Sequence, residues 1–207
     1  KNIAPSKYIL DAFAKAGFEN TDYIPNSIEI ENYSFKTRAF AVPKLLWVRA
    51  FAKIYNPDMA IEVFKIIKDE FPEATLTMVG SDKDGSLERA KKLAQDYNLD
   101  VSFPGHLQKK DWIKMACDYS VFLNTSRFDN MPVSIIEAMA LGLPVISTNV
   151  GGIPYLLEDK KESLLIENES VVPMAEAIKE ISNNPNIAEE LSKNARQKSQ
   201  DFDWLLV

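Results

Sequence analysis

The chain has 207 residues, of which 46% are hydrophobic and 26% charged, as expected for one large or two small globular α/β domains. Its net charge of −6 argues against a general affinity for nucleic acid or anionic membranes. No apolar run approaches the roughly 20 residues that span a bilayer. The single cysteine, Cys117, cannot form an internal disulfide, so we expect a small buried residue in a cytoplasmic protein. No signal-peptide pattern follows Lys1, and because the sequence starts at Lys rather than Met we expect a fragment.

Residues 1–44 have too few apolar positions for a core of their own. A helix is predicted over residues 8–16, and residues 23–28 indicate a strand end followed by a turn. Residues 29–43 show no clear period and are predicted to be a linker. We therefore expect this segment to pack on the following domain or on a part of the protein outside this chain.

From residue 45 onward, strand-like runs alternate with helical runs. Strands are predicted over residues 45–51, 74–80, 101–103, 119–124 and 143–148. Helices are predicted from Pro57 onward and over residues 87–98, 109–118, 172–183 and 187–200. This alternation predicts an α/β fold, with a parallel sheet flanked by helices.

The most informative stretch, residues 125–146, predicts a turn, a short helix and a buried strand. Pro132 suits the helix start and Gly142 suits its end. Glu137 has apolar neighbours on both sides, so the helix should be buried, and a buried carboxylate is costly unless something hydrogen-bonds it. Either the fold supplies a partner, such as a backbone N–H or a basic side chain, or a ligand does.

Polar residues stand where the predicted strands end, and in open parallel sheets ligands bind beyond the carboxyl ends of the strands. A guanidinium, a helix N-terminus and short polar side chains suit a phosphorylated ligand. The residues at these ends are Arg49, Lys53, residues 80–82, Gly105, His106, and the stretch from Ser126 to Val133. The absence of a glycine-rich dinucleotide fingerprint argues against an NAD-linked oxidoreductase, and the absence of metal-ligand spacing argues against a metal held by the protein.

Structural alternatives to a ligand role stay open for these residues. Arg49 could form a structural ion pair, and Asp129 could simply precede a helix start. The structural alternative is favoured for a loop lysine, a loop histidine and a pair of lysines at a helix start, which are Lys53, His106, and Lys109 with Lys110.

These motifs resemble those of the group-1 (family 4) GT-B glycosyltransferases over about residues 43–203. Asp129 to Glu137 resembles the family's E-x7-E motif, and residues 137–146 resemble the E-A-M-A-x-G-x-P-V-I that continues it. Residues 151–154 are similar to its V-G-G-I-P-E turn, and Arg49 is similar to the arginine of its G-R…K-G segment.

The resemblance implies the C-terminal, donor-binding Rossmann-like lobe of a two-lobed transferase, covering residues 43–207 and truncated before the final crossover helix. Residues 1–42 would be a linker and a remnant of a missing N-terminal acceptor lobe. In the implied catalytic set, Arg49 neutralises the leaving diphosphate, Asp129 holds hydroxyls of the donor sugar, and Glu137 accepts hydrogen bonds from the ribose. The implied donor-binding residues are Lys53, Gly105, His106, Ser126, Asn130, Met131 and Val133.

The chain departs from the family pattern where phosphate would be held. Asp129 replaces a glutamate, and Asn130 and Pro132 replace glycines. Lys53 stands one position early for the family's lysine, and Tyr155 replaces the glutamate of the turn.

Two functions are therefore predicted as alternatives. The first is the donor lobe of a retaining, metal-independent and cofactor-free transferase. It would use a UDP- or GDP-type sugar, and its acceptor would be a sugar or lipid-linked glycan, as in polysaccharide biosynthesis. The lobe alone would bind donor without transferring sugar, and the full-length protein would be cytoplasmic and peripheral to the inner membrane. The second is a GT-B-like regulatory or scaffold domain that has lost the chemistry.

Overall fold

The computed structural model describes residues 1–38 and 42–207; residues 39–41, part of the predicted linker, lie outside the described residues. The chain begins with strand β1 (Asn2–Ala4), helix α1 (Lys7–Lys15) and strand β2 (Thr21–Tyr23), and the two strands pair in parallel. The sequence pattern missed β1, because a strand of 3 residues is too short to show a period.

The following elements alternate between strands and helices. They are β3 (Lys44–Val48), α2 (Pro57–Glu70), β4 (Thr75–Val79), α3 (Ser86–Asp96), β5 (Val101–Gly105), α4 (Lys109–Ala116), β6 (Val121–Asn124), α5 (Val133–Ala140), β7 (Val145–Thr148), α6 (Ile153–Leu156), β8 (Ser163–Ile166), α7 (Val171–Asn183) and α8 (Pro185–Ser199). Short 3₁₀ helices cover Ile30–Asn32, Lys53–Tyr55 and Gln200–Phe202.

Within the described residues, 6 strands form one sheet in the order β5-β4-β3-β6-β7-β8, and all neighbours are parallel. The prediction of a parallel sheet flanked by helices is confirmed. The chain moves outward from β3 in one direction and then, from β6, in the other. The order therefore reverses between β3 and β6, and such a switch point leaves a crevice at the carboxyl ends of the strands.

The predicted elements differ from the structure in four places. The first strand ends at Val48 rather than at residue 51, and β5 extends to Gly105 rather than residue 103. Strand β8 and helix α6 were not predicted. Strand β8 is only 4 residues long and lies between charged residues, and an apolar run of that length does not distinguish a strand from a buried helix turn.

Hydrophobic residues cover both faces of the sheet. In β3, Leu45 and Trp47 belong to one buried cluster with residues of α2 and α7, whereas Leu46 packs in a second cluster with residues of α5. This alternation follows from the period of two along a strand. Helix α5 is buried along nearly its whole length, which brings Glu137 into the protein interior.

The segment from Asn26 to Arg38 is attached to this domain. Ile28 and Tyr33 are 2% and 1% exposed. The Ile28 amide donates to the Phe202 carbonyl, and the Trp204 amide donates to the Ile28 carbonyl, both at 2.9 Å. The described part of the predicted linker is therefore packed on the domain, while the division of the chain at residue 42 stays a prediction.

Candidate active site

Arg49 and Asp129 meet at the switch point, because Arg49 follows β3 and Asp129 lies in the loop after β6. The Arg49 guanidinium donates to the Asp129 carboxylate and lies 4.2 Å from the centroid of the Tyr55 ring. Burial raises the pKa of Asp129, and the neighbouring Arg49 charge opposes that rise. The buried Arg49 Nε has no hydrogen-bond partner among the described residues, so the guanidinium retains donor capacity.

Glu137 is 5% exposed and has two donors on one oxygen. Its Oε1 accepts a hydrogen bond from the Tyr33 hydroxyl at 2.7 Å and lies 3.1 Å from Lys109 Nζ. The described part of the chain offers no hydrogen bond to Oε2. Burial, and then Glu137, raise the pKa of Tyr33. The fold thus supplies partners for this carboxylate, and both come from residues to which the sequence analysis gave no role in the site.

A cavity of about 380 Å³ opens beside Glu137 at the carboxyl ends of β3 and β4. Arg49, His106, Lys109 and Glu137 supply its polar lining, and the apolar lining comes from Val48, Val79, Leu107 and Trp112. Lys109 starts α4 as predicted, and its side chain is 57% exposed, but its ammonium also pairs with Glu137. A larger cavity of about 490 Å³ lies around Lys44 and Ser120, at the opposite end of the strands, away from these groups.

The loop between β6 and α5 is fixed by internal and N-terminal contacts. Ser126 Oγ donates to Asn124 Oδ1 at 2.9 Å. The Ser6 hydroxyl, which also caps α1, donates to Asn130 Oδ1. Asn26 Nδ2 donates to the Met131 carbonyl at 2.8 Å, and Val133 begins α5. These predicted residues therefore lie together in the loop that also contains Asp129, and none of them is among the described residues that line the cavity.

The remaining predicted residues do not all lie at the cavity. Gly105 ends β5 with a φ of 79°, a backbone conformation that favours glycine, and the exposed His106 lines the cavity. Lys53 is exposed and is not among the described residues that line the cavity. Its amide donates to Asp84 Oδ2 at 2.9 Å, and its carbonyl accepts a hydrogen bond from Arg127. The structure therefore does not bring the Lys53 side chain to Arg49 and Glu137.

The turn before α6 packs directly against the site loop. The Gly152 amide donates to the Asp129 carbonyl at 2.8 Å. A Cβ atom added to Gly152 would lie 1.8 Å from the Asn130 carbonyl oxygen, and one added to Gly151 would lie 2.2 Å from the Asp129 carbonyl oxygen. Only glycine permits two backbones to approach this closely.

The family described as glycosyl transferases group 1 has a sequence model that matches residues 30–198. The chain belongs to this family. The poly(ribitol-phosphate) alpha-N-acetylglucosaminyltransferase of Staphylococcus aureus is 28% identical to it over 194 residues, which is 91% of this chain and 38% of that protein. The chain spans less than half the length of the curated relatives that it matches.

The solved structures that resemble this group-1 glycosyltransferase chain share its fold. Sucrose-phosphate synthase from Thermosynechococcus elongatus superimposes with a TM-score of 0.85 at 26% identity, covering 98% of this chain and 54% of that one. Anabaena HepE in complex with UDP-glucose gives a TM-score of 0.85 at 21% identity, with 97% and 59% covered. The α/β domain is therefore the Rossmann-like C-terminal lobe of the GT-B fold.

The described residues contain neither a cluster suited to a metal ion nor a helix suited to a membrane. Residues 1–38 and 42–207 contain no group of three or more His, Cys, Asp or Glu side chains placed to hold a metal ion. In the same residues, no helix has both the length and the apolar character that crossing a bilayer requires.

Proposed function

We propose that this chain is the donor-binding lobe of a retaining glycosyltransferase whose cavity binds a UDP- or GDP-type sugar. The observation that carries the proposal is the convergence of Arg49 and Glu137 on one cavity at the carboxyl ends of β3 and β4, beside the switch point of the sheet. A cation and a carboxylate in a partly apolar crevice match the charge and hydroxyl pattern of a nucleoside diphosphate.

Each group has a distinct role in this proposal. Arg49, which lines the cavity, binds and neutralises the diphosphate as it leaves. Glu137 accepts hydrogen bonds from the ribose hydroxyls through Oε2. Asp129, behind Arg49, holds hydroxyls of the donor sugar.

The loops around the cavity complete the donor site. Gly105 and His106 border the base, which rests on the apolar cavity wall. The loop after β6 faces the sugar and phosphate, through Ser126, Asn130, Met131 and Val133. Lys53 belongs to the same proposal as a lysine in the loop after β3, and it must turn toward the ligand to take part.

The transfer itself needs a second lobe outside this chain. There the acceptor, a sugar or a lipid-linked glycan, is bound so that its hydroxyl attacks the anomeric carbon on the face that the diphosphate leaves. No metal or other cofactor takes part in the proposed reaction. We propose that this hexosyl transfer serves polysaccharide synthesis in the cytoplasm at the inner membrane, and that the isolated chain binds donor without transferring sugar.

A thermal-shift titration with UDP, GDP, ADP and their sugar conjugates tests the donor site, with and without Mg²⁺. A ligand at 100 times its dissociation constant adds about 2.7 kcal/mol to the free energy of unfolding. We expect a metal-independent rise in Tm of several degrees with UDP or GDP. A Tm that no nucleotide changes would contradict the proposal, and sugar transfer by the purified chain would contradict its inactivity.

The scaffold alternative is favoured by a different observation, which is that the charged groups of the site already pair with one another. Arg49 pairs with Asp129, and Glu137 pairs with Tyr33 and Lys109. Replacing Arg49 by Ala decides between the two. The donor-site proposal expects a loss of about 10- to 100-fold in nucleoside diphosphate affinity, because hydrogen bonds to charged groups are the strong ones. The scaffold alternative expects no change.

Arg89→Ala is the matched control for this experiment. Arg89 Nε lies 2.7 Å from Asp58 Oδ2, in an ion pair between α2 and α3, and neither residue lines the cavity. Its replacement removes the same charge and should leave the affinity within twofold of the wild-type value. Equal losses in both variants would show a general charge effect and would count against a specific role of Arg49.

A further inference from the structure

We infer that Tyr33 and Lys109 are positioning residues for Glu137, which they hold so that the site selects a ribonucleotide over a deoxyribonucleotide. The inference rests on the proposed function, because it requires a nucleotide in this cavity. It adds two residues, from the segment before β3 and from the start of α4, to the group that would recognise the ligand.

The geometry at the carboxylate carries the inference. The Tyr33 hydroxyl and Lys109 Nζ approach the same oxygen, Oε1, at 2.7 Å and 3.1 Å. A carboxylate accepts hydrogen bonds at two oxygens, and here the second one has no partner in the described residues. Glu137 also lines the cavity, so Oε2 is available to a ligand there. With Oε1 held from two sides, the carboxylate cannot rotate freely, and Oε2 is presented in a fixed direction.

Tyr33 is suited to hold this carboxylate because it is itself fixed. Its side chain is 1% exposed, and its carbonyl accepts a hydrogen bond from Arg196 Nη1 at 3.0 Å. Arg196 Nη1 also donates to the Ala140 carbonyl at 2.7 Å, at the end of the helix that carries Glu137. Tyrosine and carboxylate are therefore linked both through their side chains and through one shared arginine.

Lys109 contributes a positive charge beside Glu137, which the neutral Tyr33 hydroxyl does not. Its side chain is 57% exposed and reaches Glu137 from the mouth of the cavity, with Nζ 5.7 Å from the centroid of the Tyr33 ring. A diphosphate that approaches a buried, uncompensated carboxylate would be repelled by it. The ammonium offsets that repulsion while leaving Oε2 free to accept hydrogen bonds.

Ribose selection follows from the position of Oε2. A vicinal diol offers donors to this oxygen, whereas a 2′-deoxyribose lacks one of them and leaves the buried carboxylate less satisfied. Sites built to bind a hydroxyl strongly reject an analogue that lacks it, for this reason. We expect the wild-type protein to bind the ribonucleotide about tenfold or more tightly than its 2′-deoxy counterpart.

The test compares dissociation constants by calorimetry for UDP and 2′-deoxy-UDP, and for GDP and 2′-deoxy-GDP. The variants are Tyr33→Phe, which removes only the hydroxyl, and Lys109→Gln. Tyr119→Phe is the control for the first, because the Tyr119 hydroxyl donates to Thr77 Oγ1 at 2.7 Å within the same domain. Lys110→Gln is the control for the second, because Lys110 is exposed at the next position of the same helix.

The readout is the ratio of the two dissociation constants, which general destabilisation does not change. We expect this ratio to fall at least threefold toward unity in Tyr33→Phe and Lys109→Gln, to keep its wild-type value in both controls, and to recover in Lys109→Arg. A ratio that keeps its wild-type value in Tyr33→Phe and Lys109→Gln overturns the inference and leaves the proposed function standing. Absence of wild-type binding to UDP and GDP overturns both.

Discussion

Asp129 is subject to two opposing effects at the residue scale. It is 8% exposed, and this burial disfavours its charged form, while Arg49 and the Asn130 amide favour it. The pKa of Asp129 is raised, so burial outweighs the two donors. Burying the charged form of this carboxyl group lowers the free energy of unfolding. Groups with shifted pKa values are common at binding sites.

This balance predicts a pH-dependent contribution to stability. An unfolded aspartate has a pKa of about 3.9, and the folded value of Asp129 lies above it. The folded protein then holds the proton more tightly, so the contribution is fully present below about pH 4 and is lost as the pH rises through the folded pKa. We expect the free energy of unfolding of wild type minus that of Asp129→Asn to fall from about pH 4 upward, as measured by urea denaturation. A difference independent of pH would contradict this.

The unusual position of Glu137 was visible in the sequence, but its partners were not. The apolar residues around it predicted a buried carboxylate that needs a donor. Tyr33 is 104 positions away and lies in a segment without periodicity, and Lys109 follows a pattern typical of any solvated helix start. The local sequence shows that a buried carboxylate requires a hydrogen-bond donor. Which residue donates depends on how elements distant in sequence pack together.

At the scale of elements, two glycines determine how closely the parts of the site approach one another. A Cβ added to Gly80, after β4, would lie 1.8 Å from the Arg49 carbonyl oxygen, and Gly152 makes the equivalent approach to Asn130. The alternation of strands and helices correctly predicted that these loops follow the carboxyl ends of parallel strands. It did not predict how closely the strand ends and loops approach, because that depends on backbone conformation rather than on hydrophobic period.

Replacing Gly152 by Ala should therefore disturb both stability and binding. The added methyl group has no space against the Asn130 backbone, so we expect a loss of about 1–3 kcal/mol in the free energy of unfolding. We also expect weaker nucleoside diphosphate binding, because Asp129 and Asn130 must move. Gly17→Ala is a useful comparison, since its Cβ would meet nothing within 4 Å and only the backbone strain at its φ of 84° remains. Unchanged binding in Gly152→Ala would contradict the argument.

In the molecule as a whole, the segment before β3 contacts the C-terminal end of the chain. Ile28 exchanges main-chain hydrogen bonds with Phe202 and Trp204, and Tyr33 is held by Arg196 of α8. Ile28 and Tyr33, in the segment that was expected to pack on the following domain, make these contacts. Which surface they would cover was not predictable, because a few scattered apolar residues fit many surfaces.

We expect these contacts to make unfolding of residues 26–204 a single cooperative transition. Ile28→Ala should lower the free energy of unfolding by about 2–5 kcal/mol, and Ile28→Val by about 0.5–1.5 kcal/mol, because the side chain is buried. Ile3→Ala, at a position that is 57% exposed, should change it by no more than about 0.5 kcal/mol. Circular dichroism and Trp fluorescence should give the same midpoint for each variant. An early separate transition of the N-terminal segment would contradict this.

The contacts between this segment and the C-terminal end also impose an order on synthesis of the chain. Tyr33 leaves the ribosome long before Arg196 and Phe202, the residues that fix its backbone and that of Ile28. Until then, the segment that holds Glu137 lacks its contacts with the end of the chain, since contacts distant in sequence form only after the intervening chain has been ordered. A translational pause or premature stop before α8 would therefore yield a domain whose sheet is complete but whose Tyr33 lacks the arginine that holds its backbone.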